Sequence, residues 1–431
     1  MENEFRKRPY CRILILWIAG VCLAAYLPEH ILFPIFLPLC IGLILLLFLS
    51  HFSSRNYPLY EQRGDWGILF SFLFLMLAIE YTYFHLRIPA LNLAMPLLSF
   101  CQEWQTRLLS TFDPLPLSDS EKSILGAICY GYKQSLSPEM RQQFSMAGAA
   151  HILAVSGLHT GIIYSILLLI LTLGGRFKPL YTQRLWRCVQ SVIIIAAMWA
   201  YAGMTGMTPS VVRSVLMLSL VEVGRMLYRQ SLSLNTVAAA AFLILIVRPL
   251  DLFSVSFQLS FAAVVALLLF VPAFSRLLST GWIRPVPFRK TARYVADILA
   301  VSLAAQIGTL PLTLYYFGQC SNYFLLTNLL VIPIAWLLVV AAFVVLAVGG
   351  LPWIGSGAAW VCKGLAWLLN TSVEWIEHLP GAVSEIRISL PMAILLYTAI
   401  AGGYWSLKRS LWWLLPTAGC LILFCYLYTV V

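Results

Sequence analysis

Long apolar runs alternate with short polar joints from one end of the chain to the other. Most of the runs are long enough, at about 1.5 Å per residue, for an α-helix to cross roughly 30 Å of hydrocarbon. Within them the apolar residues are continuous, as at 41–49, 193–197 and 264–270, where the strand of a transmembrane barrel would alternate. The pattern therefore predicts helices throughout. Spans are expected at 13–27, 31–50, 66–84, 151–173, 187–203, 210–227, 234–247, 252–274, 294–316, 323–347, 357–379, 389–405 and 411–430. The fold class is an all-α polytopic integral membrane protein with about thirteen transmembrane helices, ten being the lower bound.

The run 85–150 differs. Pro89, Pro96, Pro114, Pro116 and Pro138 fall among scattered charges and shorter apolar pieces. Residues 91–112 carry apolar positions at helical spacing beside Gln102, Glu103, Gln105 and Arg107, which predicts an amphipathic helix at the membrane surface. Asp119, Ser120 and Glu121 suit the start of a further helix, where acidic groups meet the positive end of the helix dipole. The chain accordingly divides into N-terminal membrane helices (1–84), an exterior or interfacial amphipathic segment (85–150), a core with flanking helices (151–405) and a last span (406–431).

Composition agrees with a membrane solvent. Apolar residues make up 61% of the 431 positions and charged ones 10%, more apolar surface than one water-soluble core can bury. The formal charge of +11 invites a nucleic-acid partner, but topology accounts for much of it. Arg6, Lys7, Arg8 and Arg12, then the joints holding Arg55 and Arg63, Arg176 to Arg187, Arg225 and Arg229, Arg276 to Arg293, and Lys408 and Arg409, all fall on one side when the spans are threaded from a cytoplasmic N-terminus. An odd number of spans then leaves the C-terminus outside. The first run lacks a small-x-small cleavage site before Pro28 and reads as a retained span. The ten cysteines lie mostly inside apolar runs with neither CxxC nor Cys/His ligand spacing, so no metal and no cofactor is expected.

Polar groups inside spans need a partner, water or a function. The fourth span opens with His151, Ser156, Gly157, His159 and Gly161; the sixth holds Ser210 and Arg213 after the flexible Gly203 to Pro209; the eighth holds Gln258; the ninth holds Gln306 before Pro311. Asn328 and Pro333 punctuate the tenth, and kinked or broken helices are expected there and at Pro311. On a continuous helix Ser156 and His159 share a face, while His151 stands about 12 Å away, beyond one metal ion. Ser156 either back-bonds to a carbonyl, lines a polar path, or serves as a hydrolase nucleophile with His159 as base; Gly157 and Gly161 form a small face for close helix approach. Arg213 either snorkels to the surface or faces a conduit, where its planar fork suits phosphate. Gln258 and Gln306 suit interhelical hydrogen bonds.

The run from His151 to His159, HILAVSGLH, resembles the "HLLAVSGLH" hallmark of the ComEC family of competence proteins. Gly126 to Gly131, Phe144 to His151, the Gly206-x-x-x-Ser210-x-x-Arg213 stretch, Asp251 to Phe261, and Gln306 to Pro311 with Asn328 and Pro333 are similar to further family segments, so the likeness runs from about residue 118 to 340. The resemblance implies an inner-membrane channel that passes single-stranded DNA into the cytoplasm during natural transformation, with no catalytic site of its own. Arg213 would then meet phosphate, with His151, Ser156, His159, Gln258, Gln306 and Asn328 along the DNA path and Gly157, Gly161 and Gly206 allowing close approach. The partners implied are single-stranded DNA, the lipid bilayer, a cytoplasmic helicase or translocase and a separate nuclease, with a homo-oligomer left open. Many family members also carry an exterior OB-like domain and a metallo-β-lactamase-like nuclease domain. Here 85–150 is short and apolar, no H-x-H-x-D-H motif occurs, and the chain ends at Val431, so the expectation is the channel domain alone. An intramembrane serine hydrolase and a small-solute transporter are the alternatives; the second predicts inverted repeats, which the sequence does not display.

Overall fold

Capping residues set where the apolar runs begin to wind. The computed structural model describes residues 9–27, 63–87, 95–112, 117–153, 155–175, 184–228, 233–281, 289–348, 352–408 and 411–430, with isolated positions between 38 and 48. The expected second span, 31–50, lies outside the described residues. Helices α1 (Pro9–Tyr26) and α2 (Arg63–Arg87) come first, followed by the shorter α3 (Met95–Ser110), α4 (Asp119–Tyr130), α5 (Pro138–Met146) and α6 (Ala150–Leu153). Then come α7 (Gly157–Gly175), α8 (Arg184–Met204), α9 (Pro209–Met226), α10 (Leu234–Val247), α11 (Val255–Gly281) and α12 (Arg289–Phe317). The last four are α13 (Phe324–Val348), α14 (Pro352–Glu377), α15 (Leu390–Lys408) and α16 (Leu414–Val430). Among the described residues five helices are long and apolar enough to cross a membrane by length and composition: Pro9–Tyr26, Trp186–Met204, Val255–Leu277, Lys290–Phe317 and Phe324–Ala347. The protein is an all-α membrane protein.

Two compact units are present. The first joins residues 1–94 with 230–257, and the second joins 95–229 with 258–431. In the first, Trp17 of α1 packs on Phe74 and Tyr81 of α2 and edge-on against Phe242 of α10, with ring centroids 5.3 to 5.6 Å apart. Gly20 lets α1 touch α2 so closely that an added Cβ would stand 2.5 Å from that of Ala78. Tyr81 Oη donates to the Ile246 carbonyl and Asn235 Oδ1 accepts from the Tyr10 amide, so α10 is tied to both helices.

The second unit holds the main core. Ser118 caps α4 in a reciprocal box with Glu121, Gly131 ends it in the left-handed region, and Ser137 caps α5 with Pro138 at its first position. Within the segment 85–150, α4 is buried along most of its length: Ile124, Leu125, Ala127 and Ile128 are closed off against Val331, Ala335 and Leu338 of α13 and Cys362, Ala366 and Leu369 of α14. Helix α3 is two-sided, with Cys101 and Gln105 inward and Phe100 and Gln102 outward.

Pro311 and Pro333 break neither helix; α12 and α13 each run through their proline. A proline removes one backbone hydrogen bond, which a long membrane helix packed on both sides tolerates. Between α12 and α13, strand β1 (Gln319–Ser321) pairs antiparallel with β2 (Val383–Glu385), which lies between α14 and α15, in the register Gln319 to Glu385, Cys320 to Ser384 and Ser321 to Val383. Asn322 Nδ2 reinforces the pair through the Gly381 carbonyl and Ser384 Oγ. Both joints therefore lie at the same end of α13 and α14. Ser321 also touches the turn at Gly148, where φ is +81° and an added Cβ would meet Ser321 Cβ at 2.9 Å.

Candidate functional site

The hallmark run is where sequence and structure part most clearly. The pattern predicts one helix over 151–173, but α6 stops at Leu153, Val155 and Ser156 are non-helical, and α7 starts at Gly157. Ala154 lies outside the described residues. The cause is local: Ser156 is an N-cap. Its Oγ accepts from the Leu158 amide at 3.2 Å, and its own amide donates to His159 Nδ1 at 3.1 Å. The imidazole thus occupies the third helical position, where a capping box normally carries Glu or Gln. Because Nδ1 accepts from a backbone N–H, the ring proton sits on Nε2. His159 is fully buried, and Nε2 has no hydrogen-bond partner among the described residues.

Ser156 and His159 do meet, with Oγ 3.1 Å from Nδ1, but in a cap rather than on one helix face. The same Nδ1 lone pair that a general base needs is engaged by the Ser156 amide, and among the described residues no third group orients the ring. Alanine at Ser156 is expected to cost about 1 kcal/mol, as for a lost N-cap, while Asp at that position retains most of the stability. Denaturant titration of the detergent-solubilised protein checks this, and a fluorophosphonate probe is expected to leave Ser156 unlabelled.

Helix α9 docks on this break. Ser210 Oγ donates to the Val155 carbonyl at 2.7 Å, and an added Cβ at Gly157 would stand 3.3 Å from Ser214 Oγ. At Gly161 nothing lies within 4 Å of that position, so close approach on this face is confined to Gly157. Gly206 has φ +64° in the turn between α8 and α9, and a Cβ there would run into Gln105 Oε1 at 2.8 Å. Gln105 in turn donates to the Tyr130 carbonyl, tying α3 to the end of α4. Thr205, Gly206 and Met207 close the turn onto Tyr201, Gly203 and Ala202.

The remaining residues singled out in the sequence are spread over the second unit. Arg213 on α9 is 4% exposed and does not snorkel to the surface. His151 is exposed on α6, with Nδ1 3.2 Å from the Gly148 carbonyl. Gln258 Oε1 accepts from Tyr316 Oη at 2.8 Å, which links α11 to α12, and Gln306 Nε2 donates to Cys320 Sγ in β1 at 3.5 Å. Asn328 Oδ1 is buried without a hydrogen-bond partner among the described residues, next to Thr327, whose hydroxyl donates to the Ala147 carbonyl at 2.6 Å. Ser156, His159, Ser210 and Gly157 are brought together; Gln258, Gln306 and Asn328 stand apart from them on other helices. Among the described residues no three His, Cys, Asp or Glu side chains converge in a way that could hold a metal ion.

One polar cluster escaped the sequence reading. Glu222 on α9 is wholly buried and accepts from Tyr164 Oη of α7 on one oxygen and from Ser191 Oγ of α8 on the other, each at 2.6 Å. Arg225 Nη1, one turn on, completes it at 3.1 Å. The signal available in the sequence was an acidic residue in the sixth span with a basic residue three positions later.

Against known families, a model described as "Competence protein" matches residues 128–415. The chain belongs to the competence protein family. That stretch takes in the Ser156 cap, the α7–α8–α9 cluster and the β1–β2 bridge. Among curated relatives it is 28% identical over 217 residues to ComE operon protein 3 of Bacillus subtilis (strain 168), covering 50% of this chain and 25% of that protein. It is 26% identical over 256 residues to the uncharacterized protein YcaI of Escherichia coli (strain K12), covering 58% of this chain and 32% of that protein. The chain thus spans between a quarter and a third of the length of these relatives. No solved structure matches it. Family membership and apolar helices together make this competence-family chain a multi-pass protein of the bacterial inner membrane.

Proposed function

We propose that the chain is the membrane channel through which single-stranded DNA enters the cytoplasm in natural transformation. The observation that carries this reading is the family match over residues 128–415, which covers most of the second unit. In this reading residues 151–405 act as the channel core with its flanking helices, and 1–84, 85–150 and 406–431 are separate segments of the chain. Polar caps and interhelical hydrogen bonds on α7, α9, α11 and α12 supply the weak, multi-site contacts that a moving polyanion needs. Arg213 contacts phosphate once α9 is parted from its neighbours, since the closed packing covers it. A cytoplasmic helicase or translocase supplies the driving force, and a separate nuclease degrades the second strand.

The serine-hydrolase reading rests on the 3.1 Å contact between Ser156 and His159, and the capping role of both residues accounts for that contact without chemistry. Uptake of labelled DNA tests the channel. In a host deleted for this gene, surface binding is expected to persist while cytoplasmic entry is lost, and the wild-type gene restores it. Arg213→Ala in protein shown to be inserted is expected to leave entry at least tenfold below wild type. Unchanged cytoplasmic entry in the deletion host overturns the proposal.

A further inference from the structure

Two arginines at one end of the α8–α9 hairpin are held in place by internal partners. Arg225 near the end of α9 is aimed by Glu222, whose oxygens are fixed by Tyr164 and Ser191. Arg187 near the start of α8 lies over the ring of Tyr228, its guanidinium carbon 4.9 Å from the centroid. Tyr228 has φ +54°, a left-handed conformation that tyrosine seldom adopts. A basic residue whose task is to fix topology has no use for this scaffolding, because charge alone serves that purpose. Orientation matters where a guanidinium must present its fork to an oxyanion. Arg225 turns one terminal nitrogen to both oxygens of Glu222, and among the described residues its other terminal nitrogen and Nε make no further hydrogen bond to Glu222. Both side chains are half-buried, so each reaches the surface with part of its fork.

We propose that Arg187 and Arg225 form a phosphate-binding pair that engages the backbone of single-stranded DNA at the end of the α8–α9 hairpin, with Glu222 as the positioning residue for Arg225. The inference rests on the channel reading above. The positive-inside pattern assigns this end to the cytoplasm, where a strand leaves the channel.

The test is binding of a fluorescent oligothymidylate to the purified full chain in nanodiscs of zwitterionic lipid, over a series of salt concentrations. Arg225→Lys keeps the charge and removes the fork; it is expected to weaken binding about tenfold, and Arg187→Gln likewise. Arg187→Gln, which removes a charge, is expected to lower the slope of log affinity against log salt by roughly 0.7, the share of one phosphate on a single strand, while Arg225→Lys leaves the slope nearly unchanged. Glu222→Gln is the decisive variant. It removes a negative charge, so a purely electrostatic patch would bind the polyanion more tightly; positioning predicts weaker binding. If wild type binds and all three variants bind as well with an unchanged slope, the pair is not a phosphate site. The same result accompanied by lost retention of anionic lipid would assign the arginines to headgroups and also overturn the proposal. If wild type shows no binding, the channel reading fails and this inference with it.

Discussion

Replacing Glu222 with alanine is expected to destabilise the second unit by about 3 kcal/mol, most of it from the two buried hydroxyls left without an acceptor, since the partly exposed Arg225 can turn to solvent. Three groups lose their acceptor at once: the Tyr164 and Ser191 hydroxyls and the Arg225 guanidinium, which then has no counter-charge beside it. In an apolar surround each orphaned hydroxyl carries its own desolvation penalty. Taken singly, Tyr164→Phe and Ser191→Ala are each expected to cost nearer 1 kcal/mol, because the carboxylate retains its other donors. Glu222→Gln falls between, since the amide keeps one acceptor. Equilibrium unfolding in mixed micelles of mild detergent and dodecyl sulfate measures all four. The outcome that sinks this account is an alanine variant as stable as Ser191→Ala, which would mean the cluster binds no more tightly than one hydroxyl.

The second large effect is expected at Gly308. Helices α11 and α12 cross there with almost no side chain between them: an added Cβ would stand 2.4 Å from Ala266 Cβ and 2.7 Å from the Ala262 carbonyl oxygen. Neither is the movable tip of a long side chain, so the helices themselves must separate. Gly308→Val is expected to cost about 3 kcal/mol, at the upper end for overpacking, and to loosen the contact of Phe270 with Tyr404 of α15, now 5.5 Å between centroids. Gly308→Ala is smaller, and Ala266→Gly in the same chain is expected to recover part of the loss by making room. Additive losses in the double variant, with no recovery, would show that the crossing is not what Gly308 protects.

Helix positions were legible because hydrophobic runs of membrane length leave few alternatives, and α1, α2 and α7 to α16 each fall on an expected span. The start of α4 was legible from Asp119 and Glu121, whereas the caps themselves, Ser118 and Ser137, were seen only in the structure. The break at Ser156 was not, because the apolar run continues through it and the residue that completes the cap is a histidine instead of Glu or Gln. The burial of α4 was hidden too. Its 12 residues look amphipathic beside prolines and charges, and only contact with α13 and α14, two hundred residues on, makes it core. Pro311 and Pro333 marked where α12 and α13 could kink or break, and of the two outcomes the break does not occur, because packing along both helices holds them continuous. At the site, family likeness pointed to Ser156, Gly157 and His159, which the fold does assemble with Ser210. It gave no notice of Glu222, whose partners come from three helices and carry no fixed spacing.

The β1–β2 pair sets an order on biogenesis. Its two strands are joined by α13 and α14, so the ladder cannot close while either helix is still being made or threaded. Until then Gln319 to Ser321 presents unmet amides and carbonyls. Closing the ladder is a late, non-local event with a long loop to bring together, the kind of step that sets the pace of folding. A chain arrested after α13 would carry an open strand edge, with the unpaired backbone groups that invite pairing with another chain.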